Sequence, residues 1–184
     1  MASNAVTIPT AVKAAKSSAL AQLIALVDEA FDHVAWHGPT LLGSIRGVTA
    51  EQAAWRPGPG RHNIWEVAVH AAYWKYAVRR RLTGEKRGSF PLKGSNWFPF
   101  DELTAGVSDQ RNARGREGAA WKDHVRLLIE QHRQLRAAVV ALPPAALVRP
   151  VHGKRHTAGY TIRGIAAHDV YHAGQIQLLK RLQA

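Results

Sequence analysis

Residues Trp121–Leu142 read WKDHVRLLIEQHRQLRAAVVAL. Within them Trp121, Val125, Leu128, His132, Leu135, Val139 and Leu142 recur at steps of four and three without a break. That period puts side chains on one face of an α-helix, whereas a strand would alternate every second residue. Pro143 and Pro144 follow, and neither can donate the backbone hydrogen bond that would continue the helix. The stretch is one long amphipathic helix with a single face to bury, so it requires partners of the same kind.

Three other segments supply them. Leu20, Leu23, Ile24, Val27, Phe31 and Val34 mark a first helix expected over about residues 11–37, ended by Gly38 and Pro39. Thr49 and Gln52 have the spacing of a capping box that opens a short helical turn, and Pro57-Gly58-Pro59-Gly60 then forces a reversal. Asn63 stands three residues before Glu66, again a capping box, and Val67, Ala71, Trp74 and Val78 follow as a stripe. A second long helix is expected over about residues 64–82, closed by Gly84. In the last segment Thr161 is expected to cap a helix whose inner face reads Ile165, His168, His172, Ile176 and Leu179.

No stretch of any length alternates as a strand would, so the expected fold is all-α, a four-helix bundle in one domain over residues 1–184, with residues 1–10 a flexible N-terminal segment. Residues 85–118 are rich in Gly, Ser, Pro and charge yet hold Phe90, Trp97, Phe98 and Phe100. Four aromatics argue against a disordered linker, and the segment is read as a long ordered loop between the second and third long helices, a candidate lid with a short helical turn near Asp101.

Composition narrows the chemistry. The chain has no cysteine, which excludes disulfides, thiolate metal sites and a cysteine nucleophile. Any metal ligands must therefore be nitrogen or oxygen. No charged segment followed by an apolar core opens the sequence, and no apolar run approaches the roughly 20 residues needed to span a bilayer, so a cytoplasmic protein without membrane contact is expected. The net charge of +12 raises nucleic acid as a partner. Part of it, Arg79–Arg81 and Lys180-Arg181, falls at expected helix C-termini where cations complement the helix dipole. No nucleic-acid motif accompanies it, and the six tryptophans are scattered over several elements, so a solvated basic surface is the preferred reading.

His168 and His172 are four apart in a helix, so both rings leave the same face and can share one ion. Both fall in the inner stripe with Ile165 and Ile176, and His70 lies in line with Val67, Trp74 and Ala77 in the second long helix. An inward histidine alone is most simply a core residue with ordinary hydrogen-bond partners. Three in matching registers are better satisfied by a divalent ion, because an ion takes one nitrogen from each and offsets its desolvation. A site of three histidines leaves a coordination position open, as catalytic sites do.

The segment Asn63–His70, NIWEVAVH, together with His168–Ile176, HDVYHAGQI, and with Trp55-Arg56-Pro57 before the Pro/Gly turn, resembles the DinB superfamily, the DinB/YfiT-like metalloenzymes. The resemblance covers nearly the whole chain. It implies a four-helix bundle, often dimeric, that holds zinc or nickel through His70, His168 and His172 with water in the open position. It also implies a small-molecule substrate, with thiol-dependent transferases and isomerases among the relatives, and it leaves the reaction open.

Other residues carry weaker readings. Glu66, one turn before His70, is a candidate general base, although its capping-box position is a sufficient explanation. Asp169 is turned about 100° from His168 and is expected at the surface or in a dimer contact. His132 is a fourth ligand, a proton carrier or a packed core residue, and His37 is expected to line the pocket. Tyr73 and Tyr171 either bond a substrate oxygen or pack with the hydroxyl outward. His33, His62, His124, His152 and His156 have no register that singles them out.

Two functions follow. The first is a metal-dependent enzyme on a small molecule, of thiol-transferase or hydrolase type, with an open coordination position and a basic rim that attracts an anionic substrate. The second is a binding protein without catalysis, its metal shell closed by His132 and its basic surface engaging an acidic partner or nucleic acid.

Overall fold

The structure, a computed structural model, describes residues 10–105 and 113–183, with backbone alone for 10–18, 113 and 114. The described residues form four long helices, α1 (Thr10–Phe31), α4 (Ile64–Thr83), α6 (Ala113–Val140) and α7 (Ala158–Leu182). Shorter ones lie between them: α2 (Leu41–Ile45), α3 (Ala50–Ala54), α5 (Phe100–Leu103) and a 3-10 turn at Pro144–Val148. Among the described residues there is no strand beyond two isolated bridges. No described helix is long and apolar enough to cross a membrane.

The long helices touch in a ring, α1 on α7, α7 on α4, α4 on α6 and α6 back on α1. Their buried stripes meet in two apolar clusters. One joins Ile64–Ala72 of α4 with Trp121 and Leu128 of α6 and with Ile176 and Leu179 of α7. The other joins Val27 and Ala30 of α1, Val78 of α4, Leu135 and Val139 of α6, and Ile162, Ile165 and Ala166 of α7. Along α4 and α6 the first cluster comes first, whereas along α7 it comes second. Hence α4 and α6 run in the same direction and α7 runs against them. The chain must travel back about 30 Å, the length of the 20-residue α4, before α6 can begin. That return is the reason for the long excursion after Gly84.

Polar side chains separate the two clusters. At the level between them, α4 supplies His70 and Lys75, α6 supplies His132, and α7 supplies Asp169 and His172, all buried. At the α1–α6 contact Arg136 donates through Nε and Nη2 to the Asp28 carboxylate at 2.6 and 2.8 Å.

Local signals set most helix ends. Both expected capping boxes form, Thr49 with Gln52 and Asn63 with Glu66, and Gly84 closes α4 at φ 75°, a left-handed conformation that costs glycine little. The expected turn at Asp101 lies in α5. Two ends differ. α1 stops at Phe31 instead of His37, and Val34, read as part of its buried stripe, is 99% exposed. The N-cap of α7 is Thr157, not Thr161, whose hydroxyl donates to the Thr157 carbonyl at 2.9 Å inside the first turn. The Thr157 side chain accepts from the Tyr160 N–H, and Gly159 in this first turn lets the 3-10 turn approach; a Cβ there would lie 3.1 Å from the Leu147 carbonyl oxygen. The flexible segment expected at residues 1–10 falls outside the described residues except for Thr10, which opens α1, as does the part of the excursion at 106–112.

Candidate metal centre

Helices α4 and α7 bring His70, His168 and His172 to one place. Nε2 of His168 lies 3.1 Å from Nε2 of His70 and 3.1 Å from Nε2 of His172. One ligand atom from each falls within 4.8 Å of the others. The i to i+4 spacing on α7 sets one pair, and the α4–α7 packing sets the other. Burial pushes the pKa of His70 down to about 4 and that of His168 to about 3, and lowers that of His172. At neutral pH all three rings are therefore uncharged, the form that can ligate a metal.

Two of the rings are oriented from behind. Nδ1 of His70 lies 2.8 Å from the backbone carbonyl oxygen of Asn96, which can only accept, so Nδ1 carries the proton and Nε2 presents a lone pair. Asn96 reaches this position in a left-handed conformation, φ 65°, and its side-chain oxygen accepts from Nε1 of Trp74 at 2.9 Å. Nδ1 of His172 donates to Oε1 of Gln175 at 2.6 Å, and Nε2 of Gln175 donates to the Tyr171 hydroxyl at 3.0 Å. His168 has no such partner; its Nδ1 is buried without a hydrogen bond. Trp97 completes the wall from the excursion, its indole stacked at 3.8 Å on His70 and at 3.6 Å on His62.

Three facing nitrogens, two of them already fixed as lone-pair donors, cannot all be satisfied by one another. A single proton on Nε2 of His168 serves only one neighbour. A divalent ion would serve all three, and two zinc–nitrogen bonds of about 2.0–2.1 Å at a roughly tetrahedral angle span about 3.3 Å, near the 3.1 Å observed. The residues present fit a metal. They line a cavity of about 520 Å³ whose other walls include Trp74, Arg81, Tyr160, Ile165 and Tyr171.

The sequence model of the DinB superfamily matches residues 33–176. The chain belongs to the DinB superfamily. The matched span contains all three histidines. No curated protein and no solved structure matches the chain.

In this DinB chain the residues nominated from the sequence separate into distinct places. Glu66 is buried and committed elsewhere: Arg56 donates to both of its oxygens at 2.6 and 2.9 Å, His62 Nδ1 lies at 3.0 Å, and the backbone N–H groups of Asn63 and Phe100 donate at 3.3 and 2.9 Å. Burial opposes its charge, but these donors together hold its pKa below the usual carboxylate value. This carboxylate is a hub that ties α4 to the loops before and after it, and that occupation argues against the role of general base.

Asp169 corrects the expectation of a surface charge. It is 1% exposed and accepts from Nζ of Lys75, itself fully buried. Being turned away from His168 points it at α4, not at water. His132 does not join the histidine cluster; its ring stacks on Phe31 at 3.7 Å and its Nδ1 lies 3.3 Å from Nζ of Lys75. His37 is exposed in the turn after α1 and does not line the cavity. Tyr171 is exposed at the cavity rim, while Tyr73 packs among Tyr76, Phe90 and Phe98.

Sequence reasoning missed Asn96, Trp97, Lys75, Arg81 and Gln175 as neighbours of the site. Two of them carried a signal that could have found them: Gln175, three residues after His172 on the same helix, and Arg81, which continues the face of His70, Trp74 and Val78.

Proposed function

We propose that this DinB chain is a divalent-metal-dependent enzyme built as a four-helix bundle, in which His70, His168 and His172 hold zinc or nickel and a small molecule reacts in the adjoining cavity. The observation that carries this reading is the convergence of three uncharged Nε2 atoms on the wall of a 520 Å³ cavity. A bound divalent ion supplies Lewis acidity there, lowering the pKa of a coordinated water or thiol.

The donor set supports the thiol-dependent class over the hydrolytic one. Hydrolysis is served by a free carboxylate or other base beside the ion, and both buried carboxylates near the histidines are occupied, Glu66 by Arg56 and His62 and Asp169 by Lys75. Transfer to or from a low-molecular-weight thiol needs no such base, because the ion itself favours the thiolate. A closed shell with His132, the mark of a purely structural site, is disfavoured because that ring belongs to the Lys75 network. Assembly as a homodimer and location in the cytoplasm belong to the same proposal.

Elemental analysis of the untagged chain tests it, beside His70→Ala and His168→Ala. The expected result is close to one zinc or nickel per chain, lost in both variants that still fold. A folded chain that holds no metal and takes up neither from solution at neutral pH overturns the reading.

A further inference from the structure

The wall of the metal cavity carries a cation that the proposed chemistry has not used. Arg81 lies eleven residues beyond His70 on α4, on the face that also presents Trp74 and Val78 to the cavity. Helical side chains lean toward the N-terminus, and its guanidinium carbon accordingly sits over the Trp74 ring, 5.4 Å from the centroid. The Trp74 ring is in turn 6.1 Å from that of His168. These two legs place the guanidinium no more than about 12 Å from the His168 ring.

Its neighbours in α4 are otherwise engaged. Lys75 pairs with Asp169, and Arg79 pairs with Glu85 and Gln134. Arg81 has no ion pair among the described residues; its Nε is buried without a hydrogen-bond partner, as are those of Arg79 and Arg80, but of the three Arg81 is the one that lines this cavity. Burial, with Arg80 beside it, presses its pKa below the usual arginine value. A half-buried guanidinium facing a largely apolar cavity, its Nε unpartnered and no ion pair made, is matched by a planar carboxylate that can take two parallel N–H bonds.

We infer that Arg81 anchors a carboxylate, and that the molecule handled at the three histidines is a small organic acid whose acidic group lies against Trp74 while its reacting end lies at His168. The inference rests on the proposed metal site. Arg81 is a binding residue in it and takes no part in bond making.

The full chain loaded with cobalt(II) tests it, because thiolate coordination to cobalt gives an absorbance band that does not depend on the far end of the ligand. The probes are ω-mercaptobutyrate and ω-mercaptohexanoate, each against its uncharged amide of the same shape. Wild-type protein is expected to bind the acid at least about tenfold more tightly than the amide at one of the two lengths, the size of a charge-assisted hydrogen-bond pair. Arg81→Gln should bring that ratio toward one with the amide's affinity unchanged, Arg81→Lys should keep part of it, and Arg80→Gln should keep all of it. A ratio near one in the wild type at both lengths, a ratio that survives Arg81→Gln, or an equal loss in Arg80→Gln overturns the inference and leaves the metal site standing. A folded chain that takes up no cobalt removes both.

Discussion

The indole of Trp97 lies flat on the imidazole of His70, ring centroids 3.8 Å apart and planes 13° from parallel, although the two residues belong to a loop and a helix. His62 covers the opposite face of the same indole at 3.6 Å, and His62 in turn bonds Glu66. The excursion is therefore attached to α4 through a stack of three rings, and it contributes both this wall and the Asn96 carbonyl that fixes the tautomer of His70.

Removing the groups behind the ligands should loosen the metal without unfolding the chain. Gln175→Leu deletes the acceptor for His172 Nδ1, and Trp97→Ala deletes the surface on which His70 rests. Each is expected to weaken zinc affinity roughly 10- to 100-fold, the usual effect of losing an outer partner of a metal-bound histidine. Competition with a chromophoric chelator measures it, and unchanged affinity in both variants would show that neither group contributes, leaving helix packing and the Asn96 carbonyl to hold the rings.

Glu66→Gln separates an anchoring role from a catalytic one. The neutral amide keeps one acceptor but cannot match Arg56, His62 and two backbone donors, so a loss of about 1–3 kcal/mol in stability is expected. Metal content should remain near that of the wild type. Full stability with lost turnover would restore this carboxylate to the chemistry.

The Lys75–Asp169 pair should be far costlier to break than to replace. Lys75→Met leaves a buried carboxylate with no partner and is expected to cost about 3–5 kcal/mol in urea unfolding. The double variant Lys75→Met/Asp169→Leu should recover most of that loss, because two apolar side chains need no partner. Equal stability of the single and double variants would mean that the unpaired Asp169 carboxylate carries no cost of its own.

His132 should make the protein sensitive to acid. Burial first, then the charges of Lys75 and Arg136, push its pKa from the usual 6.5 down to about 2. In the unfolded chain the ring protonates as pH falls through about 6.5; in the folded chain it stays neutral. The unfolded state binds more protons throughout that window, so stability falls with pH between about 6.5 and 2, by up to about 1.4 kcal/mol per unit from this residue. His132→Gln, which keeps an acceptor for Lys75, should reduce the slope between pH 6.5 and 4.5 in metal-free protein by up to about 1.4 kcal/mol per unit, the remainder coming from the histidines of the cluster. An unchanged slope would place the acid sensitivity elsewhere.

Much of this molecule is local and was therefore legible along the chain. The capping boxes at Thr49 and Asn63 and the stop at Gly84 depend on residues within one turn of each other. The convergence of His168 and His172 depends only on a period of 3.6. Where a second element intervened, local reading failed. Thr161 looks as good a cap as Thr157, yet the helix is capped at Thr157, where the 3-10 turn at Leu147 packs against Gly159. A helical wheel states correctly that Asp169 points away from His168, but it cannot state whether water or Lys75 waits on that side.

The order of apolar and polar residues was enough to determine four amphipathic helices and the three imidazoles on their inner faces, since a periodic stripe must be buried whatever covers it. The partners of those imidazoles were decided by the tertiary structure alone. Asn96 and Trp97 are 26 and 27 residues from His70 along the chain, and they meet it because α4 and α6 run in the same direction. The excursion must therefore cross the helices to connect them, and where it crosses is a matter of packing that no local pattern encodes.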